Sequence, residues 1–242
     1  MLNKKIALIT GANRGIGKAT AKSFAANGFH VVVGARDLSK AQAVVDEITS
    51  AGGSAEPLLI DLANIATIQA AGTMFLQRHN LLDALVNNAG INLNVQDSIL
   101  VASKSDIEVS LNTNAFGPLE LVKALLPALR ASKGARIVNV SSSVGSVSET
   151  ANPESPYGFF DAASYRLSKT ALNGITGMLA KTLRADGIKV NAICPGWVKT
   201  DMGGPDAPVT PDQAAALALK LATLSEDGPT GGFFNEAGTV LW

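Results

Sequence analysis

The sequence predicts a single α/β domain in which a doubly wound parallel sheet carries helices on both faces. Short β-branched runs alternate with longer, Ala-rich segments whose apolar residues recur at helical spacing. The β-branched runs are apolar throughout, as expected of parallel strands that are buried on both faces. Because no repeat, low-complexity linker or composition shift divides the 242 residues, we expect one domain over 1–242.

The elements follow one another in a regular order. The last predicted helix begins clearly, because Thr210 can cap it, Pro211 fits its first position and Gln213 completes a capping box. A final short strand is expected within 231–234 or 238–242. The strands are predicted at 6–10, 30–35, 55–60, 83–87, 135–140 and 188–193, with helical patterns such as 17–27, 40–51 and 210–224.

Composition and charge exclude several classes of protein. Lys+Arg and Asp+Glu are both 20, and no run of like charge resembles a nucleic-acid or membrane tether, so a small-molecule partner is expected. The single cysteine, Cys194, allows no internal disulfide, which fits a reducing compartment. His30 and His79 lie far apart in the sequence and give no metal-ligand spacing, which argues against metal catalysis.

Neither the N-terminal segment nor the rest of the sequence resembles a targeting or membrane signal. The apolar run near the start is too short for a signal peptide, and nowhere do about 18 apolar residues follow one another. We therefore expect a cytoplasmic protein without a membrane span.

A glycine-rich turn follows the first strand, with Gly11, Gly15 and Gly17 at the junction into a helix. Glycine permits a tight turn and lets backbone amides approach a diphosphate, whose charge the helix N-terminus favours. The spacing is GxxxGxG rather than GxGxxG, so the general dinucleotide fingerprint does not apply literally. Its position between a strand and a helix still predicts a nucleotide site.

The end of the second strand indicates which dinucleotide is preferred. NAD enzymes usually place an acidic residue there, but Ala35 occupies that position and Arg36 follows it. Arg36 could clamp a 2′-phosphate and Arg14 could add a second positive charge, so NADP is favoured over NAD. Alternatively, Arg36 is a solvated loop residue and Asp37 binds the ribose. Asp61, after the third strand, could accept a hydrogen bond from adenine or cap the next helix.

Six motifs in register resemble those of the short-chain dehydrogenase/reductase family over nearly the whole chain. The resemblance implies a single Rossmann-type domain and an NADPH-dependent reduction of a ketone or aldehyde, as in the carbonyl-reductase branch. The motifs are TGANRGIG (10–17), NNAG (87–90), NTNAFGP (112–118), VNVSSSVG (138–145), YRLSK (165–169) and PGWVKTDM (195–202).

The resemblance also implies roles for individual residues. Tyr165 would protonate the carbonyl oxygen, Lys169 would lower the phenol pKa and bind the nicotinamide ribose, Ser142 would hold the substrate oxygen, and Asn114 would anchor a water beside Lys169. Alternation along the strand also separates Ser142 from its serine neighbours. The implied cofactor-binding residues are Gly11, Asn13, Arg14, Gly15, Ile16, Gly17, Arg36, Asp61, Leu62, Asn87, Ala89, Gly90, Tyr165, Lys169, Pro195, Gly196, Val198 and Thr200.

One segment departs from the usual family pattern. The separation between Ser142 and Tyr165 is longer than usual, which indicates an insertion at about 147–163 such as the carbonyl-reductase branch often carries. This insertion could pack on the tyrosine helix and obstruct the usual oligomer contact, so monomer and homo-oligomer both stay open. Aromatic and apolar residues there and nearby either line a hydrophobic substrate pocket or pack internally: Tyr157, Phe159, Phe160, Trp197 and Met202.

Three other functions compete with reduction. A serine hydrolase would need histidine and acid partners for Ser142, and neither His30, at a strand start, nor His79, near a helix end, is well placed. A sugar epimerase would need a further C-terminal domain. A catalytically silent regulator that binds NADPH remains the alternative, although the complete set of Asn114, Ser142, Tyr165 and Lys169 argues for turnover.

Overall fold

One mixed sheet of eight strands forms the centre of the molecule. The computed structural model describes residues 4–242, so residues 1–3, which the signal-peptide argument included, lie outside it. The strand order is β3-β2-β1-β4-β5-β6-β7-β8, parallel except for the last pair. The strands are β1 (Ile6–Thr10), β2 (His30–Ala35), β3 (Ser54–Leu59), β4 (Ala84–Asn87), β5 (Arg136–Val140), β6 (Lys189–Ile193), β7 (Phe233–Asn235) and β8 (Gly238–Thr239).

Helices connect the strands and cover the sheet. A π-helical turn at Asn112–Phe116 joins α4 to α5, and a short 3₁₀ turn at Ser143–Gly145 follows β5. The α-helices are α1 (Gly15–Ala26), α2 (Leu38–Ser50), α3 (Ile65–Arg78), α4 (Lys104–Leu111), α5 (Gly117–Ala131), α6 (Val147–Ala151), α7 (Ala163–Thr182) and α8 (Pro211–Ala222).

A hydrophobic core lies on each side of the sheet. Phe24 of α1 and Leu221 of α8 belong to one core, together with Ile9 of β1. Phe75 of α3 and Leu125 of α5 belong to the other core, which includes the neighbouring residue of β1, Leu8. Successive residues of a strand point to opposite faces, so these apolar strands supply both cores and the predicted doubly wound α/β class is confirmed.

The strand order creates a crevice at the centre of the sheet. β1 pairs with β2 on one side and with β4 on the other, so the winding direction reverses beside it. In open α/β sheets, ligands bind at such a switch point, outside the carboxyl ends of the strands. The glycine-rich turn after β1, the 87–90 motif after β4 and the serines after β5 all lie at this edge.

The predicted strands agree with the observed strands to within one residue at each end, and Thr210 and Gln213 form the predicted capping box at α8. The prediction of one short strand near the C-terminus is wrong. Both alternative segments form strands, and these pair as an antiparallel hairpin. Across the part of the chain that the structure describes, no helix is long and apolar enough to cross a membrane.

Candidate functional site

The turn between β1 and α1 is shaped by close backbone contacts. Gly11 and Gly15 have φ of +63° and +51°, a region that glycine adopts without strain. A Cβ on Gly17 would lie 2.3 Å from the Gly11 carbonyl oxygen, and one on Gly11 would lie 2.9 Å from the Cα of Ala89. No side chain caps the N-terminus of α1, so its first amides are available to an anion such as a diphosphate.

The two charged residues that follow β2, Arg36 and Asp37, are the alternative ribose-side residues proposed from the sequence. The Asp37 carboxylate caps α2, where one oxygen accepts hydrogen bonds from the Ser39 and Lys40 amides at 2.9 and 3.2 Å. A hydrogen bond from the Ser39 hydroxyl, followed in effect by these amide bonds, holds the pKa of Asp37 below its usual value. Arg36 is exposed at the edge of the crevice. Asp37 borders the same crevice, but its carboxylate already caps α2, whereas the Arg36 side chain is exposed there.

Arg14 and the segment after β6 close the other side of the turn. Nη1 of Arg14 lies 2.7 Å from Oδ2 of Asp201, and both side chains are exposed. The Thr200 hydroxyl donates to the Val198 carbonyl at 3.2 Å and accepts from the Gly203 amide at 3.1 Å. Residues 195–202 thus form a bent wall opposite the glycine turn.

Asp61 follows β3, and the sequence leaves two roles open for it, an adenine contact and a cap for the next helix. Its Oδ1 accepts a hydrogen bond from the Ala63 amide at 3.0 Å, whereas α3 is capped by Asn64. The helix-cap alternative is therefore wrong, because the cap lies three residues further along the chain. Asp61 and Leu62 both border the crevice.

The two asparagines of the 87–90 motif point in different directions. Asn87, which the resemblance placed at the cofactor, is buried and donates from Nδ2 to Oδ1 of Asn139 at 2.8 Å. Asn88 is the one that borders the crevice, and its Nδ2 donates to the Thr10 carbonyl at 2.8 Å. Asn87 therefore holds β4 to β5, and Asn88 ties the motif to the glycine turn.

Tyr165 and Lys169 lie side by side on α7, as expected of helical i and i+4 positions. Nζ of Lys169 lies 5.5 Å from the centroid of the Tyr165 ring, a cation–π distance. The same ammonium donates to the Val140 carbonyl at 2.7 Å, which anchors α7 to the end of β5. One turn of helix and one strand end thus fix the phenol and the ammonium relative to each other.

Burial shifts the pKa of both the Lys169 ammonium and the Tyr165 phenol. It lowers the pKa of Lys169 to about 8, so the ammonium still predominates at neutral pH. Burial also raises the pKa of the Tyr165 phenol, and the Ser142 hydroxyl offsets only part of this rise. The expected lowering of the phenol pKa by Lys169 is not seen in the protein alone, because burial dominates. Tyr165 is therefore a neutral proton donor in this structure.

The three serines after β5 have different environments. Ser141 is buried and its hydroxyl donates to Oδ1 of Asn173, and Ser143 is also buried. Ser142 borders the crevice, and its Oγ accepts the Val144 amide at 3.4 Å. Strand alternation therefore selects the same serine as the family pattern.

Asn114 lies in the π-helical turn, a distortion often found at functional sites. Its Oδ1 accepts from the Ile91 amide at 2.8 Å, and its Nδ2 donates to the Ile91 carbonyl at 2.8 Å and to the Ser168 hydroxyl at 2.9 Å. It is fully buried behind Gly90, where a Cβ would meet Oδ1 of Asn114 at 3.3 Å and Nζ of Lys169 at 3.5 Å. Asn114 thus joins the loop after β4 to α7.

A continuous crevice of about 2030 Å³ connects these residues. Pockets for drug-sized ligands hold roughly 300–1,000 Å³, so this crevice has room for a dinucleotide together with a small substrate. Among the predicted site residues, Asn87 and Asn114 lie behind its wall. The others border it: Gly11, Asn13, Arg14, Gly15, Ile16, Gly17, Arg36, Asp61, Leu62, Ala89, Gly90, Ser142, Tyr165, Lys169, Pro195, Gly196, Val198 and Thr200.

The mouth of the crevice beside Ser142 and Tyr165 is apolar. The apolar and aromatic residues that border the crevice include two groups from separate segments: Tyr157, Phe159 and Phe160, and Trp197 and Met202. Phe159 is 87% exposed and Trp197 58% exposed, although aromatic rings of this size are usually covered in a folded protein. Exposed apolar side chains grouped at a crevice are typical of a binding surface.

One arginine that sequence reasoning missed holds this segment in place. Arg166, next to Tyr165 on α7, donates from Nε to the Phe160 carbonyl and from Nη2 to the Tyr157 carbonyl, both at 2.7 Å. Its Nη1 donates to the Thr150 hydroxyl at 3.0 Å and the Val144 carbonyl at 3.3 Å. No local spacing reveals these bonds, because their acceptors are mostly backbone carbonyls of an irregular segment.

We predict that Arg166→Met frees residues 152–162 to open locally. Losing hydrogen bonds to a charged group costs about 1.5–3 kcal/mol, so opening should become roughly 10–100-fold more frequent. Limited proteolysis with chymotrypsin measures this directly at Tyr157, Phe159 and Phe160. Arg130→Met, which removes an exposed pair with Asp186, is the matched control and should leave the cleavage rate unchanged. Equal cleavage rates in both variants would contradict the role given to Arg166.

Comparison with known proteins shows the family of this chain. The short chain dehydrogenase family model matches residues 5–208. The NADPH carbonyl reductase 1 of Mus musculus is 32% identical, with 99% of each chain covered, and a short-chain dehydrogenase of Penicillium roqueforti is 35% identical, covering 92% of this chain and 90% of that one. The crystal structure of NADPH-bound carbonyl reductase from chicken fatty liver has a TM-score of 0.87 and 33% identity, covering 100% of both chains. This chain therefore belongs to the short-chain dehydrogenase/reductase family, among members similar to carbonyl reductases.

Proposed function

We propose that this protein is an NADP(H)-dependent carbonyl reductase that converts a ketone or aldehyde reversibly to an alcohol. The observation that carries the proposal is the arrangement of Ser142, the neutral phenol of Tyr165 and the Lys169 ammonium at one end of the crevice. The NADPH-bound chicken carbonyl reductase, which this chain resembles over its full length, supports the same activity.

The residues present fit the proposed cofactor. The glycine turn brings backbone so close that a Cβ on Gly17 would collide with it, and the uncapped amides of α1 favour a diphosphate. Arg36 would hold the 2′-phosphate, Asp61 and Leu62 the adenine, and Ala89 and Gly90 the centre of the dinucleotide. Residues 195–200, with Tyr165 and Lys169, would hold the nicotinamide end. NADPH, when bound, supplies the hydride.

The protein's own residues supply the proton and orient the substrate. The Ser142 hydroxyl donates a hydrogen bond to the carbonyl oxygen, and the Tyr165 phenol transfers its proton to that oxygen as hydride reaches the carbon. The product is an alcohol, and the phenolate left behind is stabilised by the Lys169 ammonium beside the ring. Asn114 fixes the loop and helix around Lys169 and, as in the family pattern, would anchor a water for proton return.

The apolar mouth favours a hydrophobic substrate. The aromatic and apolar side chains at the mouth offer little to bind a charged group. They are Tyr157, Phe159, Phe160, Trp197 and Met202. Burying an apolar side group of the substrate here would contribute roughly 25 cal/mol per Å² covered. Among carbonyl compounds of similar reactivity, aryl and alicyclic ketones should therefore be reduced better than small charged keto acids.

The proposal is tested by measuring NADPH oxidation by the full-length protein with a panel of aldehydes, alicyclic ketones, aryl ketones and keto acids. We expect carbonyl-dependent oxidation with higher kcat/KM for the apolar members. NADPH binding without oxidation by any member of the panel would overturn the proposal and favour the regulator that binds cofactor without turnover.

Arg36→Ala should weaken the preference for NADPH. The lost charge-assisted contact is worth about 1.5–3 kcal/mol, so kcat/KM for NADPH should fall roughly 10–100-fold while that for NADH stays nearly unchanged. Steady-state kinetics with both cofactors and one saturating ketone measures this ratio. NADH is the internal control, because damage to the fold would reduce both values together. An unchanged NADPH to NADH ratio would contradict the assignment.

A further inference from the structure

The two histidines of the chain meet at the edge of the sheet opposite the crevice. His30 begins β2, Glu56 lies in β3 and His79 directly follows α3. One ligand atom from each of the three side chains lies within 4.8 Å of the other two. Spacing along the chain does not reveal this cluster, because the sheet and the return of α3 bring its members together.

The sheet register explains why the side chains converge. His30 pairs with Ser54 across the parallel strands, and Glu56 lies two residues beyond Ser54 on the same face. The end of α3 covers that face, where the His79 amide donates to the Phe75 carbonyl at 2.8 Å and the two rings lie 4.8 Å apart. Packing therefore fixes all three side chains from different elements.

Distances and donor orientation suit a metal ion. Nε2 of His79 lies 3.0 Å from Oε1 of Glu56, and Nε2 of His30 lies 3.9 Å from Oε2. Ligands at 2.0–2.1 Å around a tetrahedral ion are about 3.4 Å apart, so a small movement of His30 completes the geometry. Nδ1 of His30 lies 2.8 Å from the Ser54 hydroxyl, which orients the ring with Nε2 towards Glu56, as partners of metal-bound histidines do.

We propose that His30, Glu56 and His79 form a Zn²⁺ site that ties the end of α3 to the edge strand β3. Two imidazoles and one carboxylate select zinc or a similar transition metal over Mg²⁺ and Ca²⁺, which prefer oxygen ligands alone. The three side chains are 12–26% exposed, so solvent reaches the fourth position and water completes the coordination.

The surrounding charges are compatible with the ion. Arg78 places Nη1 3.5 Å from Oε1 of Glu56, but its side chain is 44% exposed and is free to turn into solvent. Lys4 is close enough to His30 for its charge to act on the imidazole. The cluster lies at the amino edge of the sheet, away from the crevice. Zinc binding is therefore independent of the proposed reductase activity, and failure of either proposal leaves the other intact.

The test is a titration of the full-length protein, prepared without a polyhistidine tag, with Zn²⁺ in an isothermal calorimeter. We expect one Zn²⁺ per chain and no response to Mg²⁺. His30→Ala and His79→Ala should each weaken binding by at least about 100-fold, and Ser54→Ala by about tenfold. Glu120→Gln, which removes a carboxylate from α5, is the matched control and should bind zinc as the wild type does.

Two further measurements on the wild type guard against misfolded variants. Zn²⁺ should raise the unfolding temperature with the logarithm of its free concentration once that exceeds Kd, and Co²⁺ should give the visible absorption of a tetrahedral nitrogen and oxygen site. The proposal is overturned if the wild type binds no zinc, if Mg²⁺ competes equally, or if the histidine variants fold and retain wild-type affinity.

Discussion

Replacing Tyr165 by phenylalanine is expected to abolish carbonyl reduction while leaving NADPH binding intact. The substitution removes only the phenolic hydroxyl, the group that the proposal makes the proton donor, and keeps the ring beside Lys169. General acid catalysis contributes typically 10²–10⁴-fold, so kcat should fall by about that factor or more. Steady-state NADPH oxidation measures the loss, and quenching of protein fluorescence by NADPH measures binding.

The chain offers a matched control, because Tyr157 is its only other tyrosine. Tyr157 borders the mouth of the crevice, and Arg166 contacts its backbone carbonyl rather than its ring. Tyr157→Phe should therefore change KM modestly and leave most of kcat. If Tyr165→Phe retained more than about a tenth of the wild-type kcat, the phenol would not be the general acid.

Gly17→Ala should lower both the affinity for NADPH and the stability of the fold. The new methyl would lie 2.3 Å from the Gly11 carbonyl oxygen and 2.5 Å from Nδ2 of Asn88, the atom that ties the 87–90 motif to the turn. Relieving such an overlap costs typically 1–3 kcal/mol and displaces backbone. We expect NADPH affinity to fall by roughly 10–100-fold, with a drop in unfolding temperature of several degrees. Calorimetric unfolding and NADPH titration measure the two effects.

Gly174→Ala separates this overlap from the general effect of replacing a glycine. Gly174 lies inside α7, and apart from its chain neighbours and the helix's own backbone no atom lies within 4 Å of the position that a Cβ would occupy. Alanine is favoured over glycine inside a helix by roughly 0.5–1 kcal/mol, so this variant should be slightly more stable than the wild type. A Gly17→Ala variant with unchanged NADPH affinity would show that the turn tolerates a side chain.

Features with a local physical cause were predictable from the sequence. The central strands were found because parallel strands buried on both faces must be apolar throughout. The start of α8 was found because Thr210, Pro211 and Gln213 each satisfy a need of the first helical turn. Tyr165 and Lys169 meet because one helical turn separates them, so their juxtaposition depends on α7 alone.

Features that depend on distant contacts were not predictable in the same way. Asn87 and Asn88 are identical neighbours, and the bond that holds Asn87 away from the crevice is made with Asn139 of β5, 52 residues further along the chain. The four acceptors of Arg166 and the meeting of His30 with His79 arise from tertiary packing. The raised pKa of Tyr165 also follows from burial, which spacing along α7 does not reveal.

The most direct test of the central claim follows the hydride itself. The full-length protein would be incubated with an aryl ketone and NADPH carrying deuterium at the transferred position, and the alcohol would be analysed by mass spectrometry. The account predicts one deuterium on the carbinol carbon for each NADPH oxidised, and labelled alcohol formed at least about 100-fold more slowly with Tyr165→Phe. NADPH bound by the wild type with no labelled alcohol from any carbonyl compound would contradict it and indicate a protein that binds the cofactor without turnover.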